Sequence, residues 1–164
     1  MNATTARPTP AFVAASWTAL LVGAVAFMVG LWNASMLLNE KGYYLTVLLF
    51  GLFAAVSLQK SVRDRLEGIS VTALYFGLCW GAVAIAITLL FVGLFNADLA
   101  LSEKGFYGMS FLLALFGAVA VQKNVRDLAL FDAGRPALDD DDRPAPSSDG
   151  EAVLEGERFR GGSF

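Results

Sequence analysis

Four apolar segments, separated by short polar stretches, dominate the pattern along this chain of 164 residues. A bilayer core of about 30 Å needs roughly 20 apolar residues per helix, and the first and third segments reach that length. The second and fourth are shorter and gain length from Asn39 and Ser102 as expected N-caps, and from Gln and Lys at their far ends. The sequence therefore predicts an all-α membrane protein with four transmembrane helices. The segments are Phe12–Trp32 (Leu38 if the helix continues past Asn33), Tyr43–Leu58, Val71–Phe95 and Phe106–Val121.

The second half of this pattern repeats the first. Gly30–Asp64 aligns with Gly93–Asp127 without a gap, with 19 identities in 35 positions. The unit is a two-helix hairpin, which returns the chain to its starting side of the membrane. We therefore expect two tandem, parallel-oriented hairpins related by a pseudo-two-fold axis along the membrane normal, not an inverted repeat. The expected domains are an N-terminal segment 1–10, repeats at 11–66 and 67–130, and an acidic tail at 131–164.

Charge placement predicts the orientation. Lys60, Arg63 and Arg65 follow the second segment, and Lys123 and Arg126 follow the fourth. The positive-inside rule then places both termini and the middle loop in the cytoplasm. From residue 132 onward the chain has nine acidic and four basic residues and no apolar period, so the tail is expected to be disordered.

Composition narrows the chemistry. Hydrophobic residues make up 56% of the chain and charged residues 16%, against about 25% in soluble proteins. The chain has no His, and its one Cys, Cys79, lies in an apolar run and is interpreted as a packing residue. Proton relays and ion sites require an ionisable residue deep in a membrane span, and none of the four segments has one. We therefore expect no catalytic residue, metal or cofactor, and no enzyme.

Seven polar positions recur in both copies and are the candidate interaction or structural positions. They are Asn33 and Asn96, Glu40 and Glu103, Lys41 and Lys104, Gln59 and Gln122, Lys60 and Lys123, Arg63 and Arg126, and Asp64 and Asp127.

Each group has two interpretations. Glu40 and Glu103 suit the first turn of a helix, or together with the two Lys they could form a periplasmic ion or ligand site around the pseudo-axis. The Gln-Lys-x-Val-Arg-Asp motifs suit helix ends, with Lys–Asp pairs four residues apart, or they could dock a lipid headgroup or a partner. The two Asn are expected to bond a neighbouring helix, or to line a permeation path.

Small residues predict where helices meet. Gly51 and Ala55 align with Ala114 and Ala118 in the other copy, and Gly77 and Gly81 form a GxxxG spacing. Gly42 and Gly105 are expected to let the neighbouring hairpin approach closely. Most tryptophans and tyrosines lie near segment ends, as in an interfacial belt, whereas Trp80 is interpreted as a packing residue.

The stretches GLWNASMLLNEKGYY, QKSVRD, GLFNADLALSEKGFYG and GAVAVQKNVRD resemble the YiaAB two-helix family of bacterial inner-membrane proteins, in particular its longer members with two copies. The resemblance covers about residues 10–127. It implies a four-span bacterial inner-membrane protein with a cytoplasmic C-terminus. It supplies no catalytic or ligand residue.

These observations favour an integral inner-membrane protein without enzymatic activity, which binds lipid or protein partners. The alternative is a small channel or carrier for a neutral or hydrophobic solute, in which Asn33 and Asn96 are the polar residues that line the solute path. The expected partners are the lipid bilayer, a second copy of the chain or another membrane protein, and nucleic acid is not among them.

Cysteine labelling tests the orientation. In a chain with Cys79→Ala, cysteines at Arg65 or Asp149 should stay protected from an impermeant thiol reagent in intact spheroplasts. Cysteines at Asn39 or Ser102 should be labelled. Labelling at position 65 would contradict the arrangement with both termini in the cytoplasm.

Overall fold

The computed structural model describes residues 8–134, and this part of the chain forms four α-helices. All four are long and apolar enough to cross a membrane, so the predicted fold class is confirmed. The helices are α1 (Pro10–Asn33), α2 (Leu38–Leu66), α3 (Ala73–Asn96) and α4 (Leu101–Gly134). Helices α2 and α4 are longer than their apolar segments because they continue through the polar motifs at both ends.

The helix starts in the two repeats differ from the predicted caps. Helix α2 begins at Leu38, so Asn39 lies inside its first turn, and α4 begins at Leu101, just before Ser102. The carboxylate three residues after the cap position takes over the capping role. Glu40 Oε2 accepts from the backbone N–H of Leu37 at 2.8 Å, and Glu103 Oε2 accepts from Ala100 at 2.8 Å. The first-turn position predicted for both Glu is confirmed.

The first helix of each repeat packs against the second helix of the other repeat. A Cβ built on Gly30 of α1 would lie 2.7 Å from Phe106 Cε1 of α4. At the equivalent position of the other copy, a Cβ on Gly93 of α3 would lie 2.7 Å from Tyr43 Cε1 of α2. Helix α2 also packs far more extensively along α3 than along α1. Helix α1 therefore packs mainly against α4, and α2 against α3. The two helices of one hairpin are not each other's main packing partners.

Two glycines bring α1 and α4 into backbone contact. A Cβ on Gly23 would overlap the backbone of Ala114, and a Cβ on Gly117 would overlap the backbone of Leu20. The repeat counterparts of the two glycines are Ala86 and Ala54, which are fully or almost fully buried. Both cross-repeat contacts therefore use small residues at the same places, as expected for helices that pack within lipid.

Aromatic rings fill the interior of the bundle toward the starts of α2 and α4. Tyr44 and Tyr107, equivalent residues of the two repeats, stack with ring centroids 6.1 Å apart and an interplanar angle of 19°. Phe27 packs edge-on against Tyr107 at 5.3 Å and also contacts Phe111. The surrounding core is aliphatic, so apolar side chains fill the interior of the described part. It contains Leu31, Val47, Leu48, Ala55, Leu90, Leu94, Ala114 and Leu115.

The small residues predicted to mark where helices meet lie in the buried interior of the bundle. Gly51, Ala55, Ala114 and Ala118 are all buried. A Cβ on Gly51 would lie 2.6 Å from Phe111 Cζ in α4. This prediction is confirmed.

The predictions for four other glycines are wrong. A Cβ on Gly77 or Gly81 would meet no heavy atom within 4 Å among the described residues, and the same holds for Gly42 and Gly105. The reason is geometric, because these glycines lie on faces that point away from the other helices of the bundle. Neither the GxxxG spacing nor the glycines of the Glu-Lys-Gly turns mediate close approach within this chain.

The end of α4 corrects the predicted boundary of the tail. The helix runs to Gly134, so residues 131–134 are helical, although the tail was expected to begin at 131. The compact unit ends at Leu128, and the described residues of the second unit are this end of α4. The rest of the expected disordered tail, and most of the N-terminal segment 1–10, lie outside the described residues.

The glycine contacts give a stability prediction with a matched control. Gly23→Ala should lower the free energy of unfolding by about 1–3 kcal/mol, because the added methyl group overlaps the backbone of α4. Gly77→Ala adds the same methyl group to α3 at an open position, so its stability should be unchanged or higher. Thermal unfolding of the purified proteins in one detergent measures both. Equal stability of the two variants would contradict the close contact between α1 and α4.

Candidate functional site

The fold gathers the recurring polar residues at the two ends of the bundle. The Glu-Lys-Gly end holds residues 33–44 of the first repeat and 96–107 of the second. The basic end holds residues 59–67 and 122–127. Between the two ends the helices carry apolar and small side chains with a few hydroxyl groups, so the charged chemistry of the described part is confined to these ends.

Two equivalent notches lie at the Glu-Lys-Gly end. One, of about 290 Å³, is lined by Glu40 and Tyr43 of the first repeat and Asn96 of the second. The other, of about 310 Å³, is lined by Glu103 and Phe106 of the second repeat with Asn33 of the first. Each notch therefore pairs a carboxylate from one repeat with an amide from the other, because the first helix of each repeat ends beside the start of the other repeat's second helix.

The two asparagines do not bond a neighbouring helix, as the sequence had led us to expect. Asn33 Nδ2 donates to the carbonyl oxygen of Val29 at 2.8 Å, and Asn96 Nδ2 donates to that of Val92 at 2.8 Å. Both side chains are exposed at the last turn of their helix, where the carbonyl one turn back is within reach. The amide donors are therefore satisfied within their own helix.

The two lysines of this end close the hairpins. Lys41 Nζ donates to the carbonyl oxygen of Trp32 at 3.0 Å, and Lys104 Nζ donates to that of Phe95 at 3.4 Å. A cation at the C-terminus of α1 or α3 satisfies a terminal carbonyl and interacts favourably with the helix dipole. Each Lys thus joins the two helices of its own hairpin. An ion or ligand site shared by the two Glu and two Lys stays a prediction.

At the basic end, Glu67 joins the two repeats. Its carboxylate forms an ion pair with Arg126 of α4, and lies 3.7 Å from Arg63 Nε of α2. Glu67 is not among the recurring polar positions, because Leu130 stands at the equivalent place in the second copy. Its spacing of four residues from Arg63 is the signal that could have identified it.

One of the two predicted Lys–Asp pairs is present. Lys123 Nζ lies 3.0 Å from Asp127 Oδ2, which confirms the pair in the second repeat. In the first repeat, Asp64 Oδ1 lies instead 3.8 Å from Arg63 Nη2, and no described contact joins it to Lys60. The Asp64 carboxylate is turned toward the neighbouring guanidinium, so this prediction is wrong for the first copy.

Two buried polar pairs occupy equivalent places beside the basic end. Asn124 Nδ2 donates to Ser16 Oγ at 2.9 Å between α4 and α1. Ser61 Oγ lies 3.2 Å from Cys79 Sγ between α2 and α3. These pairs fix the register of the two cross-repeat contacts. Cys79 is buried, in agreement with its interpretation as a packing residue.

An apolar groove of about 510 Å³ opens at the basic end between α2, α3 and α4. Its wall includes Leu58, Val62, Trp80, Val83 and Val119. Its rim carries Gln59, Arg63, Lys123 and Asp127.

Trp80 is 54% exposed and lines this groove, so its interpretation as an interior packing residue is wrong. The contact between Cys79 and Ser61 places Trp80 beside the basic end of α2.

Five buried polar atoms at the basic end have no hydrogen-bond partner among the described residues. They are Gln59 Oε1, Arg63 Nε, Gln122 Oε1, Asn124 Oδ1 and Arg126 Nη1. Buried polar atoms are usually hydrogen-bonded, so this end of the bundle has donors and acceptors that could still form hydrogen bonds with a bound molecule. Glutamine was predicted here as a helix-end residue, and the structure adds that its side-chain oxygen points inward.

Comparison with known proteins identifies the family. The yiaA/B two helix domain matches twice, over residues 12–64 and 75–127. The chain belongs to this family. The two matched ranges coincide with the two repeats, which confirms the resemblance read from the sequence. No solved structure matches the chain.

Three relatives place the family in membranes. Inner membrane protein YiaA of Escherichia coli (strain K12) is 59% identical over 121 residues, covering 74% of this chain and 83% of that protein. Inner membrane protein YiaB of the same organism is 35% identical over 100 residues, covering 59% and 82%. Uncharacterized membrane protein YubF of Bacillus subtilis (strain 168) is 38% identical over 68 residues, covering 41% and 78%. With four apolar helices, the chain is a multi-pass inner-membrane protein. The cytoplasmic placement of its termini stays a prediction.

The ion pairs of Glu67 give a testable coupling. Glu67→Gln and Arg126→Gln should each lower thermal stability, and a double-mutant cycle should give a coupling of about 0.5–1 kcal/mol. The pair is partly exposed, so the coupling should shrink at high salt. Lys60→Gln, which removes a charge without breaking an ion pair seen in the structure, is the control. Additive effects of the two changes would contradict the link between the repeats.

Proposed function

We propose that the chain is a non-enzymatic inner-membrane protein that acts by binding lipid or protein partners at the polar ends of its bundle. The observation that supports this most strongly is the basic end. There, polar groups without hydrogen-bond partners lie beside an apolar groove that no described residue fills. Such a surface has the chemistry of a binding surface and lacks a nucleophile–base pair, which acyl or phosphoryl chemistry needs.

The packing of the interior supports binding at the ends over passage through the middle. Phe27, Phe111 and Ala114 are fully buried, and the stacked Tyr44 and Tyr107 fill the interior next to the Glu-Lys-Gly end. Asn33 and Asn96, the polar residues expected to line a solute path, lie exposed in separate notches and bond their own helices. No observation within the described residues therefore favours the channel or carrier.

Purification in a mild detergent tests the proposal. The full chain, extracted from membranes and analysed by native mass spectrometry, should retain lipid or a protein partner through size-exclusion chromatography. The double variant Lys60→Gln with Lys123→Gln should retain less, because it removes one exposed cation from each repeat at the basic end. Lys41→Gln with Lys104→Gln removes equal charge from the other end and serves as the control.

Recovery of neither lipid nor protein with the wild-type chain would contradict the proposal. Equal loss from both double variants would contradict the placement of binding at the basic end.

A further inference from the structure

We propose that the groove between α2, α3 and α4 holds one anionic phospholipid. Its acyl chain lies along Val62, Trp80 and Val83, and its phosphate is held by Lys123 and Arg63. This inference rests on the proposed function and specifies its ligand class and its site.

The wall of the groove fits an acyl chain. The groove extends on α2 from Ala55 to Leu66, about 16 Å of helix, and most of its lining is aliphatic or aromatic. It opens on the side of a membrane-spanning bundle, where the surrounding solvent is hydrocarbon. An apolar groove in that position is filled by an acyl chain unless protein covers it.

The rim of the groove fits a phosphate. Lys123 has a 60% exposed side chain, and its ion pair with Asp127 leaves ammonium protons for a second acceptor. Arg63 lies on the same rim. Its guanidinium is within ion-pair distance of Asp64 and Glu67, but it has five N–H donors in a fork that also suits phosphate. The residues that line the groove include two cations and one carboxylate.

The surrounding charge selects an anionic lipid over a zwitterionic one. The basic end as a whole carries five cations and three carboxylates, a net charge of +2. The cations are Lys60, Arg63, Arg65, Lys123 and Arg126, and the carboxylates are Asp64, Glu67 and Asp127. Basic clusters at the end of a span attract anionic headgroups.

A second copy of the chain is the competing occupant. Its helices could cover the same wall, but they would leave the phosphate-binding cations of the rim without an anionic partner. We therefore assign the groove to lipid, and the experiment distinguishes the two.

The test uses the purified full chain and phosphatidylglycerol that carries a photoreactive diazirine on its acyl chain. Cross-linked peptides, mapped by mass spectrometry, should include the segment around Trp80 and Val83. Unlabelled phosphatidylglycerol should compete, and phosphatidylcholine should compete at least fivefold less well. Lys123→Gln should weaken competition by phosphatidylglycerol about fivefold, the factor expected for one Lys beside an anionic lipid.

Two matched controls separate the site from general effects. Lys60→Gln removes an equivalent charge at the same end of the bundle but outside the groove, so it should weaken competition by phosphatidylglycerol less than Lys123→Gln does. Val83→Phe, which fills the groove, should reduce labelling at least fivefold. Leu78→Phe on the exposed face of α3 should not reduce it.

The outcomes also separate this inference from the proposed function. If the wild-type chain retains lipid but Lys123→Gln and Val83→Phe label like wild type, the groove assignment is overturned and the proposed function stands. Protein–protein cross-links at Val83 in place of lipid would overturn the assignment in favour of a second copy. Retention of no lipid and no protein would overturn both.

Discussion

The close contact between each repeat's first helix and the other repeat's second helix is the constraint on which the rest of the structure depends. In lipid, the hydrophobic effect gives helices little reason to associate, so van der Waals packing over small residues has to hold them together. Gly23 and Gly117 allow the backbones of α1 and α4 to touch, and Ala86 and Ala54 occupy the equivalent places between α3 and α2. The stacked Tyr44 and Tyr107 then fill the space where the two halves meet.

The polar ends follow from this packing. Because α1 ends beside the start of α4, Asn33 and Glu103 share a notch although they belong to different repeats. At the other end the two copies are no longer equivalent. Glu67 has Leu130 as its counterpart, and its carboxylate serves both Arg63 and Arg126. The same motif therefore forms an ion pair between Lys and Asp in one copy and a network across the repeats in the other. The apolar groove lies where α2 and α4 of these two motifs meet α3.

Much of the architecture could be predicted from the sequence, and the helix partners could not. Charge-free apolar runs specify four spans, and the repeat specifies two hairpins of like orientation. The first-turn position of Glu40 follows from spacing alone. Which faces are buried does not, because lipid-facing and buried positions use the same residue types. Phe27 is fully buried whereas Phe91 is 70% exposed, and Gly23 touches a backbone whereas Gly77 faces open space. The groove and the Glu67 network depend on these pairings, so the candidate site was predicted only as separate motifs.

The packing of α1 against α4, at opposite ends of the sequence of helices, has a consequence for biogenesis. Helix α1 leaves the ribosome first, and α4, the helix that covers its Gly23 face, leaves last of the four. During synthesis α1 therefore waits in the bilayer with its packing face in contact with lipid, until more than sixty further residues have been inserted. Helices α2 and α3 follow one another in the chain and can pair earlier. Assembly should thus begin with the inner pair and finish when α4 is added beside α1, so a chain that stops before α4 would leave its first helix without its partner.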